Sequence, residues 1–303
     1  MPGLRTASGG LSVVAHTVVE DWVNAVAFAP GGDQVVAATA DGTVTALRED
    51  GTTQLVHRHD GPATSVAIST RGQIASGGHD GHAILDGTIC ATNARGWVDR
   101  VSWRPDGELL AAASGRQVHT FGRDGTPVAT SEAMDATVSC LGWHPRGVQL
   151  AVGGYGGVRL LRGKDLRQET HLQWTGSALE LRISPDGRRL AHGNQDASVH
   201  FWDLRRRTEL EMLGYQTKVR QLDWRHDGQL LAIGGGEDIT IWDFAGRGPA
   251  GSRPLTLQGH QRLITWLGFA PRLHASGQRR RRRTRPAVDA RHDPPSSRRL
   301  RAR

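Results

Sequence analysis

Four histidines and an aspartate, His57, His59, His79, His82 and Asp80, are the residues of this chain best suited to chemistry. Imidazole nitrogens and a carboxylate are zinc-ligand types, so one reading is a metal-handling or metal-assisted site. Other catalytic signatures are missing: the sequence contains no phosphate-binding GxxxxGK[ST], no GxSxG nucleophile elbow and no HExxH. The runs Gly153-Gly154-Tyr155-Gly156-Gly157 and Gly234-Gly235-Gly236 resemble phosphate-cradling loops. No helical segment follows either run to add its dipole, so they read as turns between strands. Cys90 and Cys140 stand fifty residues apart, outside any CxxC spacing. Two thiols are too few for a disulfide framework; they read as buried and inert, in a reducing compartment.

The elements that must position these residues recur at an almost fixed period. An apolar strand, a turn of Pro-Asp-Gly type and a Leu/Ala/Gly strand repeat seven times, with proline-equivalent positions at 30, 70, 105, 145, 185, 226 and 271. Spacings of 35 to 45 residues are those of propeller blades, units that bury their faces only by stacking on neighbours. Strand a alternates, as in Val26 and Phe28 or Leu222 and Trp224, and Trp103, Trp143 and Trp224 read as core. Strand b is built of small residues such as Ala111, Val152 and Ala232. His192 occupies that position in its own repeat, so it is expected buried and hydrogen-bonded.

In a propeller the connections that lead into strand a share one face. Eight residues before the proline-equivalents stand Trp22, Pro62, Trp97, Thr137, Ser177, Lys218 and Leu263. Six before stand Asn24, Thr64, Asp99, Ser139, Leu179, Arg220 and Thr265, and these should ring the channel mouth. Trp and Arg are enriched at binding hot spots. The expected partner-binding set is Trp22, Asn24, Trp97, Asp99, Tyr215, Lys218 and Arg220.

The ordered signature of an apolar strand, Phe-x-Pro-Asp-Gly, Leu-Ala-x-Gly, a second strand and Trp-Asp resembles the WD-repeat β-propeller family. It is clearest at Trp202-Asp203, Trp242-Asp243, Gly259-His260 and Trp22–Pro30, and it covers about residues 11 to 277. The resemblance implies an all-β, seven-bladed propeller serving as a non-catalytic scaffold. Its top rim would bind a protein or peptide, with no cofactor, metal, membrane or specific nucleic acid, in the cytoplasm. It also implies a structural use for His59 and Asp80, in the family's His–Ser/Thr–Asp–Trp network. His stands at that position only at His59 and His260, and no repeat carries all four members. The alternative function is an enzyme or metal-handling accessory built on the histidines of repeat two.

The net charge of +8 comes from the C-terminus. Residues 278–303 hold eleven Arg and two Asp, while the other 277 residues carry 27 basic and 28 acidic side chains. The body therefore lacks the charge excess of a nucleic-acid-binding surface. Five consecutive arginines, Arg279–Arg283, cannot occupy buried strand positions. The expectation is a propeller over residues 1–277, an incomplete seventh blade, and a disordered basic tail over 278–303 that reads as out of frame. Leu11–Ala15 would be the ring-closing strand, left without its partner.

Overall fold

A computed structural model describes residues 15–48, 50–91, 96–245, 249–258 and 263–270, and the backbone of 288–291 and 298–302. All regular structure among the described residues is β-strand. After β1 (Ala15–Val19), the first repeat forms β2 (Val23–Phe28), β3 (Gln34–Thr39), β4 (Thr43–Arg48) and β5 (Thr53–Arg58). The second forms β6 (Ala63–Ile68), β7 (Ile74–Gly78), β8 (His82–Leu85) and β9 (Thr88–Ala91). The third forms β10 (Val98–Trp103), β11 (Leu109–Ser114), β12 (Gln117–Gly122) and β13 (Pro127–Thr130). Then come β14 (Cys140–Trp143), β15 (Gln149–Arg162), β16 (Gln168–Ile183), β17 (Arg189–Asn194), β18 (Val199–Asp203) and β19 (Thr208–Met212). The chain continues through β20 (Gln221–Trp224), β21 (Leu230–Gly234), β22 (Ile239–Asp243) and β23 (Leu255–Leu257). The last strands are β24 (Ile264–Gly268), β25 (Val288–Arg291) and β26 (Arg298–Ala302).

Successive strands pair antiparallel, and the innermost strands β2, β6, β10, β14, β16, β20 and β24 touch one after another, with β24 returning to β2. That closed ring is a β-propeller. The expectation of seven separate blades is corrected: five four-stranded blades stand alone, and repeats four and five run together as one six-stranded sheet. The cause is local. β15 and β16 are 14 and 16 residues long, and each runs on through what would be a turn. Tyr155 pairs with Ser177, which ties the bend of β15 to the bend of β16. Gly157 makes that bend at φ 107°, and a Cβ there would meet the Leu172 carbonyl, so glycine lets the strand curve without breaking.

The expected incomplete last blade and disordered tail are also corrected. β24 pairs with β25, β25 with β26, and β26 with β1, which makes a four-stranded sheet. The physical reason is alternation: Val288 and Ala290 stand between Asp289 and Arg291, and Leu300 and Ala302 between Arg299 and Arg301. The backbone ladder needs no apolar side chain on both faces. The closing strand is β1, Ala15–Val19, rather than Leu11–Ala15, of which 11–14 lie outside the described residues. Arg279–Arg283 and Gly259-His260 lie outside them as well.

The core lies between neighbouring sheets. Ala37, Ala38, Ala111, Ala112, Ala151 and Ala191 on the second strands are fully buried, where the crowded axis admits only small side chains. Trp103, Trp143 and Trp224 on the innermost strands are buried, as expected from their alternation. At the Pro-Asp-Gly turns the chain reverses through glycine. Gly187 has φ 71°, and a Cβ there would strike the His144 ring of the preceding repeat.

Candidate functional site

The face that carries the β5–β6, β9–β10 and β19–β20 connections holds both candidate sites, the histidines and the rim. His59 is buried between β5 and β6, with Nδ1 2.9 Å from Asp80 Oδ2 and Nε2 2.7 Å from Ser76 Oγ. His57 Nε2 lies 2.6 Å from the same hydroxyl. The donors resolve into one chain: His57 Nε2–H donates to Ser76, Ser76 O–H to His59 Nε2, and His59 Nδ1–H to Asp80. Burial drives the His57 pKa down to about 4, which fixes it neutral and suits this direction. The Asp80 carboxyl is held low despite burial, by the His82 amide and by His59.

Ser76, His59 and Asp80 thus reproduce the order of a hydrolase triad, but they cannot act as one. Ser76 is fully buried and its oxygen is already shared by two imidazoles, so no substrate carbonyl can reach it. The network joins β5, β7 and the β7–β8 turn, and its role is structural. His79 is engaged elsewhere, stacked on Trp97 at 3.9 Å between ring centroids and 14° between planes. Among the described residues no group of three or more His, Cys, Asp or Glu side chains is disposed to hold a metal ion. His192 is fully buried, as expected; Trp202 Nε1 donates to its Nε2 at 3.1 Å and its Nδ1–H donates to Asn194 Oδ1 at 2.7 Å. Both cysteines are free and buried, and burial pushes the Cys140 thiol up to about 12, so neither is a nucleophile at neutral pH.

The rim candidates divide by what their side chains already do. Asn24 Nδ2 donates to Ala63 O of the next repeat at 2.8 Å. Thr64 donates in the same way to Val98 O, and Ser139 to Ala178 O. These three side chains close the repeat junctions, so Asn24 reaches across to its neighbour although it is exposed. Asp99 occupies the equivalent place in repeat three and has no donor to give. It is half-buried, and burial raises its carboxyl, offset in part by Arg100 and His79. That junction is closed lower down, where Trp143 Nε1 donates to Ser102 O at 3.0 Å. Trp224 does the same for the next unlatched junction, donating to Arg182 O at 3.3 Å.

Trp97 is 56% exposed, with one ring face covered by His79. Trp22 is half-buried beside Asp21, whose carboxylate accepts from its amide. Tyr215 is half-buried; its hydroxyl accepts from Trp242 Nε1 at 3.1 Å, and burial raises its pKa. Lys218 and Arg220 are exposed. Deeper in the channel wall Arg182 faces both Glu180 and Asp223, and Asp223 Oδ2 accepts the Phe269 amide at 2.6 Å. Burial lifts the Asp223 carboxyl to about 6. The position count from the turn proline had located Thr64 and Ser139, but their latch role depends on the register of the neighbouring sheet. Arg100 and His79 as rim partners left no signal in the repeat pattern.

Residues 11–45 and 168–203 match the family model "WD domain, G-beta repeat". The first match covers repeat one, and the second runs from the outer part of β16 through β18. The chain is 22% identical over 169 residues to echinoderm microtubule-associated protein-like 4 of Xenopus laevis, covering 53% of this chain and 18% of that protein. It is 26% identical over 146 residues to echinoderm microtubule-associated protein-like 3 of Mus musculus, covering 46% and 16%. It is 24% identical over 195 residues to the B-type cell cycle switch protein ccs52A of Medicago truncatula, covering 59% and 38%. The chain therefore spans under a fifth of the first two relatives and under two fifths of the third. These matches and the all-β ring support the WD-repeat resemblance. No helix among the described residues is long and apolar enough to cross a membrane.

Proposed function

We propose that this protein is a non-catalytic platform that binds a protein or peptide through the channel-mouth rim, with Trp97 at the centre of the contact. The observation that carries this reading is the state of Trp97. A large indole is 56% exposed, yet it is held in place by the stacked His79 ring, so its free face is presented with little entropy left to lose. Lys218, Arg220, Asp99 and Trp22 lie on the same rim as supporting contacts. Asn24 and Tyr215 contribute less, because one closes a repeat junction and the other packs beneath Trp242. WD-repeat proteins generally bind protein partners, which agrees with a surface rather than a cleft as the working site.

The reading needs no cofactor, and the buried Ser76–His59–Asp80 chain supports a scaffold over an enzyme. We place the protein's action in the cytoplasm, on the strength of its two free, buried cysteines, and assign the binding role to the propeller over residues 1–277. The test is capture of partners by the full-length chain and by Trp97→Ala at matched folded concentration. A partner retained by the parent and lost by the variant supports the reading; identical capture by both overturns it.

A further inference from the structure

Repeat six departs from the others at the position that closes each junction. Asn24, Thr64 and Ser139 spend their side-chain donors on the next repeat's carbonyl. In repeat six that position is Arg220, and the junction is closed one residue later by Gln221, which donates to Thr265 O at 3.0 Å. Arg220 is thereby released. It is exposed, with five N–H donors and no ion pair or hydrogen bond among the described residues. Arg100 on β10 donates to the carbonyl of Asp99 at 2.8 Å and has no ion pair either. The two guanidiniums lie near enough that, after burial, the Arg100 charge is what disfavours the charge on Arg220. The carboxylates deeper in the channel are committed, since Glu180 and Asp223 both face Arg182. Exposed Lys218 adds a third cation two residues from Arg220.

Like charges held side by side, with donors unspent and no counter-ion, make a site that an anionic group would stabilise. We propose that the channel mouth receives an acidic segment of a partner protein, whose carboxylates pair with Arg220 and Arg100 while an adjoining side chain packs on Trp97. This rests on the platform reading above and names the chemistry of its partner. A basic segment would instead bring its charge against Arg100, Arg220 and Lys218.

The experiment titrates the full-length chain into fluorescein-labelled peptides of alternating Glu and Ser, with Gln, Lys and phosphoserine in place of Glu as comparisons, read by anisotropy. The Glu peptide should bind about tenfold or more tighter than the Gln peptide. Arg220→Glu and Arg100→Gln should each lose about tenfold, with unchanged melting temperature. The C-terminal arginines are the same in every variant, so Glu-peptide binding that survives both substitutions undiminished overturns the proposal. Preference for the Lys peptide overturns it, and so does a phosphoserine peptide that binds where the Glu peptide does not. If the Gln or Lys peptide binds and Trp97→Ala abolishes that binding, the acidic inference fails while the platform reading stands. If Trp97→Ala leaves both peptide binding and partner capture unchanged, the platform reading falls too.

Discussion

At the scale of residues, the same side-chain types serve two ends, and burial decides which. His59, Ser76 and Asp80 have the order of a catalytic triad, yet Ser76 is sealed in the sheet and bonded by two imidazoles. Their worth is stability. Replacing His59 by Ala would leave Ser76 and Asp80 without their shared partner, and we expect a loss of about 2–4 kcal/mol in urea denaturation. A loss under 0.5 kcal/mol would show the network to be incidental. His79 carries no such burden, but it backs Trp97. His79→Ala should weaken partner binding by about 0.5–1.5 kcal/mol through lost stacking, with little change in stability. Equal losses of affinity and stability would show that the pair only packs. The histidine cluster stood out in the sequence as chemistry; its structural use followed only from the family resemblance. That Trp97 borrows rigidity from His79 was not legible, because the two stand on different repeats.

At the scale of elements, the repeat period made the strands, turns and small-residue second strands legible. It misled where one element ran into the next. Residues 153–157 read as a turn because five consecutive positions hold four glycines, but in the fold they let β15 bend and continue. The tail read as strandless because eleven arginines dominate its composition, although Val288/Ala290 and Leu300/Ala302 keep a strand's alternation. Between elements, the junction latches make a direct prediction. Asn24→Ala and Ser139→Ala should each cost about 0.5–1.5 kcal/mol, the net value of one hydrogen bond. Asp99→Asn should instead stabilise the fold at pH 7 by a similar amount. It removes a half-buried carboxylate whose charge burial disfavours, and it supplies the amide donor found at Asn24. Chemical denaturation reads both effects, and a destabilised Asp99→Asn would show that the carboxylate is structurally required.

At the scale of the whole molecule, stability should depend on pH in a way set by three buried groups. The folded pKa values of His57 and His192 are depressed to about 4, so their stabilisation is present above the unfolded value near 6.5 and is lost as pH falls towards 4. The folded pKa of Asp223 is raised to about 6, so its contribution is full below the unfolded value of 3.8 and is lost as pH rises through 6. Between pH 4 and 6 the unfolded chain binds two more protons through the histidines, and the folded chain binds one more through Asp223. Stability should therefore rise with pH, at about 1.4 kcal/mol per unit for the one net proton. Asp223→Asn keeps an acceptor for the Phe269 amide and removes the opposing proton, so the rise should steepen; an unchanged slope would contradict the assignment. None of this touches the rim, which is why affinity and stability can be separated. The most direct measurement is the affinity of a captured partner for Trp97→Ala, per folded molecule, beside the melting temperature of the same variant. The account predicts a loss of about 1–3 kcal/mol in binding with the melting temperature unchanged. Full affinity in a Trp97→Ala variant that melts earlier would contradict it.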